Sequence, residues 1–299
     1  MTELLERLSA LKIEYKTGYD LSAVSSFRIG GLADVAVFPK DESELSFAVS
    51  VLKEREIRFD VIGRASNVLF ADEGYRGALI FTKNMSRISC QGTKISALCG
   101  SSLSSLANIA KDNSLSGLEF AFGIPGSVGG AVVMNAGAFG SDMKSVVLSS
   151  RAFNIDTGEI ISIIGDENKF DYRCSVYSGN KNLICLSAEF ELRYGDPSEI
   201  SAVMRQNSNV RRDKQPLELP NCGSFFKRPQ GFFAGKLIED CGFKGFSVGG
   251  AQISKKHAGF IVNTGNATAR EVMELGETVE RIVLEKFGVK LEREVKYIV

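Results

Sequence analysis

The stretch Phe122-Gly-Ile-Pro-Gly-Ser-Val-Gly-Gly-Ala-Val-Val-Met-Asn-Ala-Gly-Ala-Phe-Gly140 crowds glycine into one short segment. Glycine lets a backbone turn freely and approach a ligand closely. Successive outward N–H groups, above all at a helix start, make a site for phosphate. Gly123, Gly126, Gly129 and Gly130 are the candidates for such a nest, with Ser127 adding a hydroxyl. A tightly packed turn that binds nothing also fits the glycine content. The spacing is G-x-x-G-x-x-G rather than G-x-G-x-x-G, and no G-K-[ST] follows. Neither a Rossmann nor a P-loop architecture is therefore expected.

A second loop, Gly63-Arg64-Ala65-Ser66-Asn67, follows the strand-like Phe59–Ile62. It is another site built from backbone and hydroxyl groups. Two anion-friendly loops suit a dinucleotide pyrophosphate lying between them.

The rest of the chain falls into three regions. Residues 1–84 read as an α/β unit, with Asp41-Glu-Ser-Glu44 opening a helix whose Leu45, Ala48, Val49 and Leu52 share one face. Residues 85–195 are richer in strand signals: Lys94–Cys99, Val146–Ile155, Ile160–Ile164 and Leu183–Tyr194. Asp156-Thr-Gly158 reads as a hairpin turn, and helices are expected near Leu103–Lys111 and after Gly129. Gly195-Asp-Pro197 marks the next boundary, and residues 196–293 form the third region. There a capping box, Thr268-Ala-Arg-Glu271, opens a helix with Val272, Leu275, Val279, Ile282 and Val283 as its apolar stripe. Leu291–Val299 alternates as a final strand.

Composition narrows the function classes. Lys plus Arg and Asp plus Glu are 36 each, which gives no argument for nucleic acid or an anionic membrane as partner. No apolar run reaches the ~20 residues a spanning helix needs, and the start of the chain lacks a signal-peptide core. A cytoplasmic protein without membrane insertion is expected. The six cysteines are scattered and read as reduced thiols. With His257 as the only histidine, a zinc site and a Ser-His-Asp triad are both disfavoured, and no metal is expected.

Together the motifs resemble the UDP-N-acetylenolpyruvoylglucosamine reductase family. The resemblance rests on Ser25–Gly31, Gly63–Asn67, Gly117–Gly130, Met134–Gly140, Tyr172–Ser175, Gly223–Pro229, Gly235–Gly242 and Leu291–Val295, in that order and spacing. It implies an α+β / α/β chain with a two-subdomain FAD-binding region of the vanillyl-alcohol-oxidase (PCMH) type. A C-terminal α+β substrate-binding domain follows, and strand 294–299 returns to the first subdomain. The implied cofactor is non-covalent FAD, with NADPH as reductant and a small UDP-sugar as substrate. Gly63, Arg64, Ala65, Ser66, Asn67, Gly123, Ile124, Pro125, Gly126, Ser127, Gly129, Gly130, Asn135 and Gly137 would hold the FAD.

By the same resemblance Arg173, Ser224 and Glu294 carry the chemistry, reduction of an enolpyruvyl ether. An arginine supplies a fixed positive fork for a carboxylate and a developing oxyanion. A protonated carboxyl can donate to an enolate. A serine gives the proton. Plainer readings exist: Arg173 as a sheet-edge residue, Ser224 as a turn residue, Glu294 as a solvated strand position. Cys174 and Cys222 read as small, partly buried side chains.

For the substrate, Tyr172, Arg211, Lys214, Lys227 and Arg228 are candidate contacts, with Asn209–Pro216 read as a basic loop. Ala65 stands where many relatives have glycine, and Arg228 where many have asparagine. The short interval between Arg173 and Ser224 resembles the family type that lacks a tyrosine-bearing lid loop. A monomer is expected. The rival readings are a PCMH-type oxidase or dehydrogenase acting on another sugar or hydroxy acid, and a nucleotide-sugar-binding protein without turnover.

Overall fold

The structure, a computed structural model, describes residues 1–299. Seven α-helices form: α1 Thr2–Ala10, α2 Glu42–Glu54, α3 Leu103–Asp112, α4 Val128–Val133, α5 Pro197–Lys214, α6 Ala234–Asp240 and α7 Ala269–Phe287. The chain divides into two compact units. The first holds residues 1–17, 35–64 and 77–210; the second holds 18–34, 65–76 and 211–299.

In the first unit, Asp41 caps α2 by accepting from the Glu44 N–H. Leu45, Ala48, Val49 and Leu52 of α2 pack with Leu4 and Leu8 of α1 against Val35, Val37, Ala78 and Ile80. A five-stranded antiparallel sheet forms the other half of this unit, in the order Ile160–Ile164, Val147–Asn154, Leu183–Glu191, Lys94–Leu98, Ile88–Gln91. Asp156-Thr-Gly158 does turn the hairpin between its first two strands, with Gly158 at φ +74. Leu103, Leu106, Ala107 and Ala110 of α3 and Val128 and Val132 of α4 belong to the core beside this sheet.

The run Asn209–Pro216 is not a loop. Through Lys214 it is the last part of α5. Asp196, taken as part of a boundary, accepts from the N–H groups of Ser198 and Glu199 at 2.7 and 3.3 Å and so caps the helix. Pro197 occupies the first helical position, where its missing N–H is harmless. The proline and glycine punctuation therefore marked a helix start.

In the second unit a four-stranded sheet runs Asn221–Ser224, Phe260–Asn263, Ala251–Ile253, Ser247–Val248. Val272, Leu275, Val279 and Val283 of α7 are fully buried in its core. The expected strand over Leu291–Val299 is shorter: Lys296–Ile298 pairs in parallel with Val68–Phe70, while Arg293 makes an isolated bridge to Phe226.

The start of α7 is unusually well satisfied. Thr268 Oγ1 accepts from Glu271 N at 3.1 Å, and Glu271 Oε2 accepts from Thr268 N at 3.0 Å and Gly250 N at 3.1 Å. Asp72 accepts from Ala269 N at 2.7 Å and Arg270 N at 3.0 Å. The orphan donors of the first turn are thus paired. The Thr268 N–H, then the Gly250 N–H, hold the Glu271 carboxyl below the usual glutamate range. A lowered carboxyl stabilises the fold in full above its unfolded pKa and loses that contribution as pH falls through the lowered value. Thr268→Ala is expected to lower stability by about 1 kcal/mol at neutral pH. Glu271→Gln is expected to flatten the acid side of the stability profile. Denaturant titrations across pH check both.

Candidate functional site

The two glycine loops meet inside the first unit. Strand Phe59–Ile62, paired in parallel with Ala78–Phe81, ends at Gly63. A Cβ on Gly63 would collide with Ser127 Oγ, so only glycine lets the first loop lie on the second. Ser127 is buried and caps α4, accepting from Gly130 N at 3.3 Å. The rest of the glycine-rich stretch divides its labour. Gly129 is a packing glycine: its N–H donates to Cys99 O at 2.8 Å, and a Cβ there would sit 2.7 Å from Cys99 Cβ. Gly123, Pro125 and Gly130 are exposed, and Ile124 and Gly126 are half-buried. Neither loop carries an acidic side chain, and Arg64 adds an exposed positive charge. A short, side-chain-poor backbone surface with one cation and no carboxylate has the chemistry of a dinucleotide pyrophosphate cradle.

Asn135 ties this stretch to Arg173. It is buried and left-handed, at φ +41, a conformation asparagine tolerates better than most residues. Its Nδ2 donates to Asp142 Oδ2 at 3.1 Å and Asp171 O at 3.0 Å, and its Oδ1 accepts from Lys144 N at 2.9 Å. Asp171 and Cys174 exchange two N–H···O bonds of 3.0 Å, which closes a tight turn with Tyr172 and Arg173 at its tip. Arg173 sits at φ +53, where a turn ordinarily wants glycine. Its Nη1 and Nη2 donate to Asn135 O and Gly137 O, each at 3.4 Å, and its guanidinium lies 5.0 Å from the centroid of the exposed Tyr172 ring. Bonds of that length are weak. The paired bonds of Asp171 and Cys174 fix the backbone that carries the cation.

The second unit holds the other two candidates. Gly223, at φ +78, interrupts the strand register between Asn221 and Ser224, and Ser224 is exposed. Glu294 N donates to Phe225 O at 2.8 Å, and Lys227 N donates to Glu292 O at 2.8 Å. Asn67 Nδ2 donates to Glu294 O at 3.2 Å, and Asn67 O accepts from Lys296 N at 3.0 Å. Asn67, Glu294 and the Ser224–Phe225 segment are therefore one hydrogen-bonded group. Ala65, where that loop passes into the second unit, is buried at φ +49 and its carbonyl accepts from Ser26 N at 3.2 Å. Ser66 is half-buried.

The substrate candidates scatter. Arg211 is buried in the last turn of α5, and burial lowers its guanidinium pKa. Lys214 is exposed at the helix end. Lys227 pairs with Glu292 at 3.2 Å, and Arg228 stacks 3.9 Å from the centroid of the Phe233 ring. Cys222 donates its thiol to Val68 O at 3.0 Å, and burial pushes that thiol up to about 12, which leaves it inert at neutral pH. No cysteine is in a disulfide.

Sequence reasoning missed Asp72, Asp142, Glu280 and Arg293, which anchor these segments. The partners of Asp72 lie almost two hundred residues along the chain, and the Asn135–Asp142 and Glu280–Arg293 pairs join different elements at no motif spacing. One consequence is testable. Gly129→Ala drives a methyl into Cys99 and is expected to destabilise the protein by about 1–3 kcal/mol, the usual range for overpacking. A thermal melt checks it.

Residues 33–163 match the family described as FAD binding domain. Residues 215–298 match the family described as UDP-N-acetylenolpyruvoylglucosamine reductase, C-terminal domain. The reductase of that name from Caldanaerobacter subterraneus subsp. tengcongensis is 45% identical over 274 residues, 92% of this chain and 90% of that one. The Lactiplantibacillus plantarum reductase is 43% identical over 286 residues, 96% of this chain and 94% of that one. The crystal structure of UDP-N-acetylenolpyruvylglucosamine reductase from Thermus caldophilus matches with a TM-score of 0.80 at 31% identity, covering 96% of this chain and 99% of that chain. These relatives match this chain over more than nine-tenths of its length, and the chain belongs to the UDP-N-acetylenolpyruvoylglucosamine reductase family.

Proposed function

We propose that this protein is an FAD-dependent oxidoreductase that uses NADPH to reduce UDP-N-acetylglucosamine enolpyruvate to UDP-N-acetylmuramate, a peptidoglycan precursor. The observation that carries the reading is identity of 43–45% over more than nine-tenths of the chain to reductases of that name. The three-part plan belongs to this reading, with FAD-binding subdomains over 1–84 and 85–195 and a substrate-binding domain over 196–293. So do cytoplasmic work as a monomer and a contribution to cell-wall growth, cell shape and division.

The loops at Gly63–Asn67 and Gly123–Gly130 would hold the FAD, with Asn135 and Gly137 shaping the floor beside them. Bound there, FAD would supply hydride-transfer chemistry between NADPH and the enolpyruvyl ether. The chain's own residues manage the charge and the proton. As hydride adds to the β carbon, the C=C electron pair moves toward the α carbon and its carboxylate. Arg173 offers a permanent cation to that carboxylate, in which strength depends on a fork held in place before the charge develops. Its constrained turn supplies that preorganisation. Glu294, in its protonated form, donates to the enolate oxygen. Ser224 gives its hydroxyl proton to the α carbon and recovers one from solvent. Its position beside a glycine bulge leaves the hydroxyl exposed, as a proton donor requires. Tyr172, Arg211, Lys214, Lys227 and Arg228 are assigned to the UDP-sugar, with Arg211 the least accessible of them.

The test is anaerobic and optical. The purified protein is expected to be yellow, to bleach with NADPH and to recolour when the enolpyruvyl substrate is added. Protein that takes up no FAD would refute the reading. Bleaching without recolouring would point to a different oxidisable or reducible substrate. Ser224→Ala is expected to bleach at close to the parent rate and recolour at least about a hundredfold more slowly, within the range general-acid catalysis contributes. Fast recolouring of that variant removes Ser224 from the proposed role.

A further inference from the structure

Ser224 and Glu294 each stand next to a residue that is locked onto helix α7. On one side, Phe225 is fully buried and its ring lies against Gly276: a Cβ at that glycine would be 2.9 Å from Phe225 Cε1. On the other, Arg293 grips Glu280 with two bonds, Nε to Oε1 at 2.6 Å and Nη2 to Oε2 at 2.9 Å. Nη1 reaches Met273 Sδ at 3.3 Å. Gly276 and Glu280 are four residues apart and so share one face of the helix. The two locked residues are also bonded to each other's segment, through the Phe226–Arg293 bridge and the Glu294 N–H to Phe225 O bond.

The Arg293–Glu280 pair is the strong member of this set. Its side chains are 25% and 27% exposed, and its geometry is bidentate. Glu277, 3.7 Å from Nη2 but 66% exposed, adds little beside it. The helix itself is pinned at its start by Asp72 and by the Thr268–Glu271 box.

We infer that the α7 face presented by Gly276 and Glu280 sets the positions of Ser224 and Glu294, with Glu280 and Arg293 as positioning residues. The inference rests on the reductase reading, since it presumes that those two side chains act on the substrate. Neither positioning residue touches the reacting atoms. Arg293 acts through the backbone it shares with Glu294, and Glu280 acts by holding Arg293. A group displaced by an ångström loses a large part of its contribution, so the half of the cycle in which the enolpyruvyl substrate reoxidises the flavin is the sensitive one. Of the flavin loops only Asn67 meets this linkage, through the Glu294 carbonyl and the Lys296 N–H; Gly63, Arg64 and Gly123–Gly130 have no bond to Arg293, Glu280 or Phe225 among those described. Flavin retention and its reduction by NADPH are therefore expected to survive its loss.

Four proteins test it: the parent, Glu280→Gln, Arg293→Met and the double variant, each as the FAD-loaded full chain. Glu280→Gln keeps the side-chain shape and weakens the fork, so it remains informative if Arg293→Met fails to fold. Flavin content, melting temperature, the rate of bleaching by NADPH and the rate of recolouring by the enolpyruvyl substrate are measured. Glu280→Gln is expected to recolour at least about tenfold more slowly. Flavin content and bleaching rate stay within about twofold, and the substrate concentration for half-maximal recolouring is unchanged. The double variant is expected to be no slower than the slower single, as for two residues acting as one pair.

Recolouring of Glu280→Gln within about twofold of the parent overturns the inference. So does a parallel fall in flavin content, bleaching and recolouring, which marks general loosening, and so does full additivity in the double variant. A parent that does not recolour removes the reductase reading and the inference with it. A parent that recolours beside an unaffected variant removes only the inference.

Discussion

The first turn of α7 is the interaction on which the second unit depends. A helix presents four unpaired N–H groups at its start, and burying one unpaired costs as much as a lost hydrogen bond. Here Asp72 takes two of those donors from a position almost two hundred residues away in sequence, and the Thr268–Glu271 box takes the next. With its start fixed, α7 can bury Val272, Leu275, Val279 and Val283 completely and offer Gly276 and Glu280 to the segments beside it. The segments that carry the candidate proton donor and the candidate carboxyl pack against this one helix.

The first unit uses backbone conformation for the same end. Asn135 and Arg173 both lie in the left-handed region, at φ +41 and +53. That region costs an L-residue roughly 1–2 kcal/mol. Asparagine offsets its share with three side-chain hydrogen bonds. The arginine is held by the paired bonds of Asp171 and Cys174 around it. Such strain persists only where surrounding structure overdetermines it, and it gathers at sites where a side chain must be aimed before a ligand arrives. Ala65, at φ +49, belongs to the same pattern and meets it without glycine's freedom.

The glycine-rich stretch has two jobs. Gly129 lets α4 approach Cys99 and is consumed in packing. Gly123, Gly126 and Gly130 keep backbone at the surface. Gly63 contributes by what it lacks, because any side chain there would strike Ser127. A glycine motif of this kind cannot be read as a phosphate nest residue by residue. Part of it builds the floor, and part of it remains for a ligand.

Local sequence determined a good deal. The caps at Asp41 and Thr268, the α7 stripe, the Asp156-Thr-Gly158 turn and the two glycine loops all follow from spacing within a few residues, and the motif series was enough to indicate the family. Local sequence also misled where charge stood in for structure: Asn209–Pro216 reads as a basic loop, yet through Lys214 it is the end of a helix that Asp196 caps and Pro197 starts. The strand over Leu291–Val299 came out shorter because only Lys296–Ile298 finds a continuous partner. What tertiary structure alone decided are the anchors between elements: Asp72 on α7, Asn135 on Asp171, Asn67 on Glu294, Arg293 on Glu280. Side-chain periodicity reports which face of an element is buried. It carries no information about which distant polar group will face a given donor, and those pairings place the candidate catalytic residues.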